Sequence, residues 1–453
     1  MTRPPHSNVK PKTNPNPNPN PNPNLNLNGG DPIDIPEQAG HTARIALGRI
    51  FRAESRNYFL LLGTTLFLVA FGLVMVLSSS SVDSYLADLG FFGGILRQGM
   101  FALIGVPLML LVSRMPLKFW ERISWLALLA SCFLQGLVVF TPLGFTIAGN
   151  TNWLTLPGGI QFQPSEAIKL ALVVWLGVIL AKKQDHLDDW RHIFIPVFGV
   201  GGGAVMLVMI GGDLGTVVIM AAILFGALFY AGVKLRLLIV PLIIGAVGAV
   251  LLALTSENRM TRILSFAEDD CAVTDGAISA ECWQPLHGTW ALANGGVFGV
   301  GLGNSRAKWS WLPAADNDYI FAIIGEELGL IGAIVVLLMF ILLACAFLRV
   351  MRSSRSVQAR ITTASVMVWI IGQAFVNIGV VIGVVPVLGV PLPLISAGGT
   401  ALLTTLVAIG VVLSFARSDR SSDTEAERAA QRLADDAPAT TRPTDPSERA
   451  TRS

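Results

Sequence analysis

The chain is built from long apolar runs separated by short polar breaks. A helix needs about 20 residues to cross a hydrocarbon core roughly 30 Å thick. Runs suited to that length lie at about 57–77, 95–113, 122–140, 165–181, 192–211, 213–231, 236–255, 318–348, 361–384 and 396–416. The fifth and sixth almost touch at Gly211-Gly212-Asp213, which predicts a tight hairpin. The eighth exceeds the length a crossing requires, so it is expected to tilt or project. The pattern predicts an all-α integral membrane protein of about ten transmembrane helices.

The flanks differ in kind. Residues 1–45 contain an Asn-Pro alternation from Asn14 to Asn24. Every second residue there lacks a backbone donor, which excludes helix and sheet, so the arm is expected to be disordered. It also lacks the apolar run and cleavage site of a signal peptide. The tail at 417–453 mixes charges of both signs with Pro and Thr, and is expected to be disordered with a short helix near Glu425 to Leu433. The domain division is thus an arm at 1–45, a ten-span body at 46–416 and a tail at 417–453. Within the body, the connection at 256–317 is too rich in Gly, Trp and amphipathic segments to be a mere linker.

Short-loop basic residues set the orientation. One side receives Arg44, Arg49, Arg52 and Arg56, then Arg114, Lys118 and Arg122, then Lys182, Lys183 and Arg191. Lys234, Arg236, Arg349, Arg352, Arg355, Arg360, Arg417 and Arg420 follow on that side. The other holds Arg97, Arg259, Arg262, Arg306 and Lys308. Both termini are expected in the cytoplasm and the 256–317 connection outside.

Composition agrees with a bilayer solvent. Of 453 residues, 53% are hydrophobic and 14% charged, against about 25% charged in a soluble protein. A net charge of +2 gives a nucleic-acid partner no support. The four cysteines have no metal-ligand spacing. Cys132 and Cys345 lie in apolar runs, whereas Cys271 and Cys282 share one polar segment on the outer, oxidising side, where a disulfide is expected.

Candidate chemistry collects on the outer side. Asp316, Asn317 and Asp318 stand where the eighth span begins, and each reads as a helix N-cap or as a functional group. Arg306 and Lys308 precede them and could clamp a diphosphate or be solvated loop charges. Arg97, at the outer start of the second span, is a similar candidate. Glu166 and Lys169 share a helix face inside a span, either as a functional pair or as a packing device. Asp213 tops the hairpin as a cavity-lining group or a cap. At least one of Glu326 and Glu327 must face the bundle interior or a water-filled cavity, because lipid exposure of a carboxylate costs about 2.5–3.5 kcal/mol or more. The Gly-Val-Gly-Leu-Gly run has no preceding strand, so a dinucleotide reading is weak. Ser396 lacks a nucleophile-elbow context, and His287 reads as structural.

The order of these segments carries a resemblance. Gly301-Leu302-Gly303-Asn304-Ser305-Arg306 is followed by Leu312-Pro313, then Asp318-Tyr319-Ile320-Phe321-Ala322, then Gly325-Glu326-Glu327. Phe92 to Gln98, Gln163 to Lys169, Asp213 to Thr216, and Pro391 to Gly399 agree as well. Together they resemble the SEDS family (shape, elongation, division and sporulation) over about 57–416, and within it the division type. The chain departs from that pattern at Ala314, Asp316 and Asn317, where Glu, His and Thr are usual. Asn150-Thr151-Asn152 also replaces a basic pair before Trp153, so no phosphate-binding role is carried onto that loop.

The resemblance implies a peptidoglycan glycosyltransferase that polymerises lipid II at the division septum of the bacterial plasma membrane. It implies Asp318 as the essential aspartate, assigned here as general base, with Asp316 as a cap. Arg97, Glu166, Lys169, Asp213, Arg306 and Lys308 are the substrate-binding candidates. The implied partners are a class B penicillin-binding protein and other divisome membrane proteins. No cofactor is certain, although a divalent cation, magnesium or manganese, would suit the diphosphate. The alternatives are a lipid II flippase, a non-catalytic scaffold and an elongation-type, RodA-like polymerase.

Overall fold

The computed structural model describes residues 55–88, 90–147, 150–156, 160–187, 189–254 and 280–435. Among them, nine helices are long and apolar enough to cross a membrane. They are α1 (Arg56–Leu86), α2 (Gly93–Val112), α3 (Leu117–Phe140), α4 (Pro164–Lys182), α5 (Trp190–Ile210), α6 (Leu214–Ala231), α9 (Ile320–Ser353), α10 (Val357–Val381) and α11 (Gly399–Asp435). The remaining expected span is α7 (Leu235–Leu254), also helical for 20 residues. A further helix, α8 (Ala280–Gly295), precedes α9. Buried α4 and α10 pack on one another, with α3 against α4, α6 and α9 against α10, and α2 against α11. Large apolar side chains such as Leu103, Leu126 and Phe133 remain exposed, as a lipid-facing surface requires.

Boundaries move where local chemistry overrides apolar length. Helix α1 was expected to end near 77 but continues to Leu86 through Ser78–Ser81. Three of those hydroxyls bond back to carbonyls of their own helix: Ser79 to Met75, Ser80 to Val76 and Ser81 to Ser78. The serines thus satisfy themselves without breaking the helix. Helix α11 runs to Asp435, past the 417 boundary at which a disordered tail was expected. Its extension, Thr424-Glu-Ala-Glu-Arg-Ala-Ala-Gln-Arg-Leu-Ala434, consists almost wholly of strong helix formers. The arm at 1–45 and residues 436–453 lie outside the described residues.

Two features lacked an apolar-run signature. The connection between α3 and α4 forms an antiparallel sheet of β1 (Gly144–Ile147), β2 (Asn150–Leu156) and β3 (Ile160–Phe162). It pairs Gly144 with Leu154 and Leu154 with Phe162. Thr151 N donates to Gly211 O at 3.0 Å, tying the sheet to the expected α5–α6 hairpin, where Gly212 adopts φ +92°.

The other feature is a break in α9 at Gly329, whose φ of 67° is non-helical. The glycine-rich segment after α8 splices into that break. Val300 N donates to Glu326 O and Gly301 N to Glu327 O, both at 3.0 Å, while Leu330 N donates to Gly296 O at 2.9 Å. The freed backbone groups of a broken helix are thereby satisfied inside the protein.

Candidate active site

The loop before α9 carries Asp316, Asn317 and Asp318. The cap position of α9 is Tyr319, so neither aspartate occupies it. This corrects the expectation of a cap at Asp316 and puts the cap one residue beyond Asp318. The loop is instead fastened by its backbone. Ala397 N donates to Asp316 O at 2.9 Å, Ser396 Oγ to Asn317 O at 2.7 Å, and Asn377 Nδ2 to Asp318 O at 2.8 Å. Three successive carbonyls are thus held by α10 and by the segment between α10 and α11. Ser396 is a clamp: its Oγ also accepts from Leu392 N at 2.7 Å, and its carbonyl accepts from Gln98 Nε2 at 2.9 Å. With its backbone held this way, half-buried Asp318 directs Oδ2 toward Gly389, where an added methyl would lie 3.6 Å away. Gly389 has φ +66°, so glycine suits both the turn and the close approach.

Charge gathers beside this carboxylate. Asp316 is pushed up to about 6, first by burial and then by the nearby Asp83 carboxylate, against its own backbone hydrogen bond and the opposing pull of Arg97. Asp83 at the end of α1 and Arg97 at the start of α2 therefore belong to the same mouth. Arg97 and Arg306 are exposed. Arg306 is set by its backbone, since its N–H donates to Glu326 Oε1 at 3.2 Å.

Glu326 and Glu327 anchor the preceding loop. Glu326 also accepts from Ser305 Oγ and from Ala307 N. Glu327 accepts from Ser78 Oγ at 2.6 Å, and from Ser305 N and Lys308 Nζ, each at 3.3 Å. Lys308 is buried, and its ammonium also donates to Gly303 O at 2.6 Å. The structure therefore places Lys308 in an internal ion pair, away from the exposed position that its loop suggested.

A second polar cluster lies below. Lys169 pairs with Glu166 at 2.7 Å, donates to Gln373 Oε1 at 3.0 Å and lies over the Trp369 ring. Glu166 also accepts from Thr404 Oγ1 at 3.3 Å. Gln373 Nε2 donates to Pro391 O and Asn377 Nδ2 to Val390 O, both at 2.9 Å or less. The buried ion pair thus connects, through α10, to the clamp that holds Asp318. Asp213 caps α6, accepting from Thr216 N at 2.9 Å and from Gln163 Nε2 at 3.0 Å.

Sequence reasoning singled out the ion pair but missed Trp369, Gln373 and Asn377. Their four-residue spacing forms one polar stripe on an apolar span, which was the available signal. Ser78 and Asp83 fall in the serine-rich polar break after the first apolar run and carried no such pattern. Among the described residues, no three His, Cys, Asp or Glu side chains converge as a metal cage.

The comparisons with known proteins fall on this same body. A family model described as a cell cycle protein, covering FtsW, RodA and SpoVE, matches residues 58–421. A probable peptidoglycan glycosyltransferase FtsW of Mycobacterium tuberculosis is 35% identical over 388 residues, covering 85% of this chain and 73% of that protein. Stage V sporulation protein E of Bacillus subtilis is 34% identical over 364 residues, covering 80% and 97%. In a solved structure described as coordinating polymerization and crosslinking in a peptidoglycan synthase complex, one chain matches with a TM-score of 0.64 at 23% identity, covering 79% of this chain and 97% of that one. RodA of Thermus thermophilus, a rod-shape-determining protein, matches with a TM-score of 0.58 at 23% identity, covering 81% and 98%. At that identity the structural matches speak for the fold. The chain is a membrane-embedded member of the FtsW/RodA/SpoVE family.

Proposed function

We propose that this chain is a division-type peptidoglycan glycosyltransferase that polymerises lipid II on the outer face of the plasma membrane. The observation that carries the proposal is the Asp318 carboxylate on a loop whose main-chain carbonyls are clamped, beside a mouth containing Arg97 and within a family whose curated members bear that activity in their names. In the reaction, the acceptor's sugar hydroxyl attacks the anomeric carbon of a second, lipid-linked sugar. Asp318 accepts the hydroxyl proton as the new glycosidic bond forms. The bond from the anomeric carbon to the diphosphate oxygen breaks, and the polyprenyl diphosphate leaves with the electron pair. Arg97 and Arg306 are the exposed cations suited to that leaving group, with guanidinium forks matched to phosphate oxygens. A divalent cation would screen the same charge.

Glu166 and Lys169 lie in the first turns of α4 and neutralise one another, which favours a packing role over a translocation path. Basic-residue asymmetry supports cytoplasmic termini and an outward-facing Asp318. The septal location and a class B penicillin-binding protein partner follow from the division-type resemblance. Purified protein incubated with lipid II should yield glycan strands. A folded preparation that only redistributes lipid II between leaflets would reject polymerisation in favour of the flippase reading.

A further inference from the structure

The region beside Asp318 contains a group of rings that the proposed chemistry leaves unused. Four of the chain's ten tryptophans, at 283, 290, 309 and 311, fall on α8 and the loop that leads to Asp318. Trp283 and Trp311 lie nearly parallel, 8° apart, with centroids separated by 6.1 Å. His287 stacks on Trp283 at 4.1 Å and on Trp311 at 5.8 Å. Trp290 meets the same imidazole edge-on at 4.9 Å. Buried His287 is therefore the centre of a layered platform, while Trp290, Trp309 and Trp311 are 45%, 62% and 55% exposed.

The platform is held in place by its polar edges. Trp283 Nε1 donates to Trp311 O at 2.7 Å, Gln284 Nε2 to Pro313 O at 2.9 Å, and His287 Nδ1 pairs with Trp283 O at 2.7 Å. Cys282, at the start of α8, is disulfide-bonded, whereas Cys132 and Cys345 are free thiols. Cys271, the expected partner, lies outside the described residues. The other face of α8 sits directly on the catalytic loop. A methyl at Gly288 would come within 2.6 Å of the Tyr319 ring, and one at Gly295 would overlap Gly325 O. Tyr319 immediately follows Asp318, so the platform and the carboxylate share one rigid support.

Flat aromatic faces, fixed by the Trp283 Nε1 bond to Trp311 O and the His287 Nδ1 contact with Trp283 O, suit the C–H faces of pyranose rings. Loose membrane anchoring would not require indoles locked in parallel and bonded to the active-site loop. We propose that the Trp283–His287–Trp311 platform is a saccharide-binding subsite that holds the polymerised glycan strand beside Asp318. The assignment of a strand rests on the glycosyltransferase reading; the saccharide affinity can be tested without it.

The full-length chain in detergent, without a partner protein, is titrated with β-1,4-linked N-acetylglucosamine oligomers while tryptophan fluorescence is followed. Saturable binding is expected, weakened about fivefold or more by Trp311→Ala, the scale of one lost aromatic contact. Trp311→Phe should restore most of the affinity. In lipid II polymerisation, Trp311→Ala should shorten the strands, whereas Trp190→Ala, a tryptophan change near the opposite end of the bundle, should not. Unaltered oligomer affinity and strand length in Trp311→Ala would overturn the subsite. So would a defect seen only when a transpeptidase partner is added, which would make the platform a protein contact, or one confined to membrane insertion, which would make it an interfacial anchor. If wild-type protein binds oligomers but makes no glycan, the polymerase reading fails while the saccharide site stands.

Discussion

Lys308 distinguishes a substrate-binding role from a structural one. Its ammonium lies 3.3 Å from Glu327 Oε1, with the two side chains 5% and 0% exposed. At an effective dielectric of about 20, two unit charges at that separation attract by about 5 kcal/mol before desolvation is counted. Lys308→Met keeps a long side chain but leaves the Glu327 carboxylate buried with hydrogen-bond donors and no counter-charge. Loss of one partner of a buried pair costs about 3–5 kcal/mol. Ser78 and Ser305 continue to donate to that carboxylate, which places the expected loss toward the lower end. Lys308→Met combined with Glu327→Gln removes both charges and should recover much of the stability. Unfolding of the detergent-solubilised single and double variants measures this as a double-mutant cycle. If Lys308→Met unfolds like wild type but binds a lipid diphosphate weakly, the internal pairing is refuted and the ammonium reaches substrate.

Two further predictions follow from the same loops. Asp316 is raised to about 6 from an ordinary 3.8, so the folded protein holds its proton more tightly than the unfolded chain. Its stabilising contribution is complete below about pH 4 and is lost as pH rises through about 6. Asp316→Asn should therefore be more stable than wild type at pH 7.5, with the advantage vanishing near pH 4; identical melting curves across that range would contradict the assignment. Gly329→Ala places a methyl 2.4 Å from both Gly299 N and Val297 O at a positive φ. It should abolish the splice and lower yield of folded protein, which size-exclusion profiles and thermal unfolding would show.

The bilayer architecture was legible in the sequence because hydrocarbon imposes a length and an apolar composition on each span. The tight turn at Gly211–Asp213 and the inward facing of at least one of Glu326 and Glu327 follow from equally local rules; that both are buried is a finding of the structure. What escaped was long-range or backbone-mediated. Nothing in the α3–α4 connection announces a sheet whose partner is the turn at Gly211. The fastening of residues 316–318 uses main-chain carbonyls, invisible to residue identity, and donors from Asn377, Ser396 and Ala397, which are 59 to 81 positions away. Lys308 misled for the same reason: a cation in a short loop looks solvated until its buried carboxylate, supplied by α9, is in view. Asp318 emerged from its motif, but the placement of the α9 cap at Tyr319 required the structure.

The central claim is tested most directly by lipid II polymerisation with Asp318→Asn beside Asp316→Asn, each verified as folded and detergent-soluble. Asn preserves the size of the side chain, and the carbonyl of residue 318 still accepts from Asn377, so the clamp should survive. With Asp318 as the base, turnover should fall by at least the roughly 10²–10⁴-fold typical of general-base removal, while Asp316→Asn retains activity. A folded Asp318→Asn protein that polymerises lipid II at the wild-type rate would contradict the assignment.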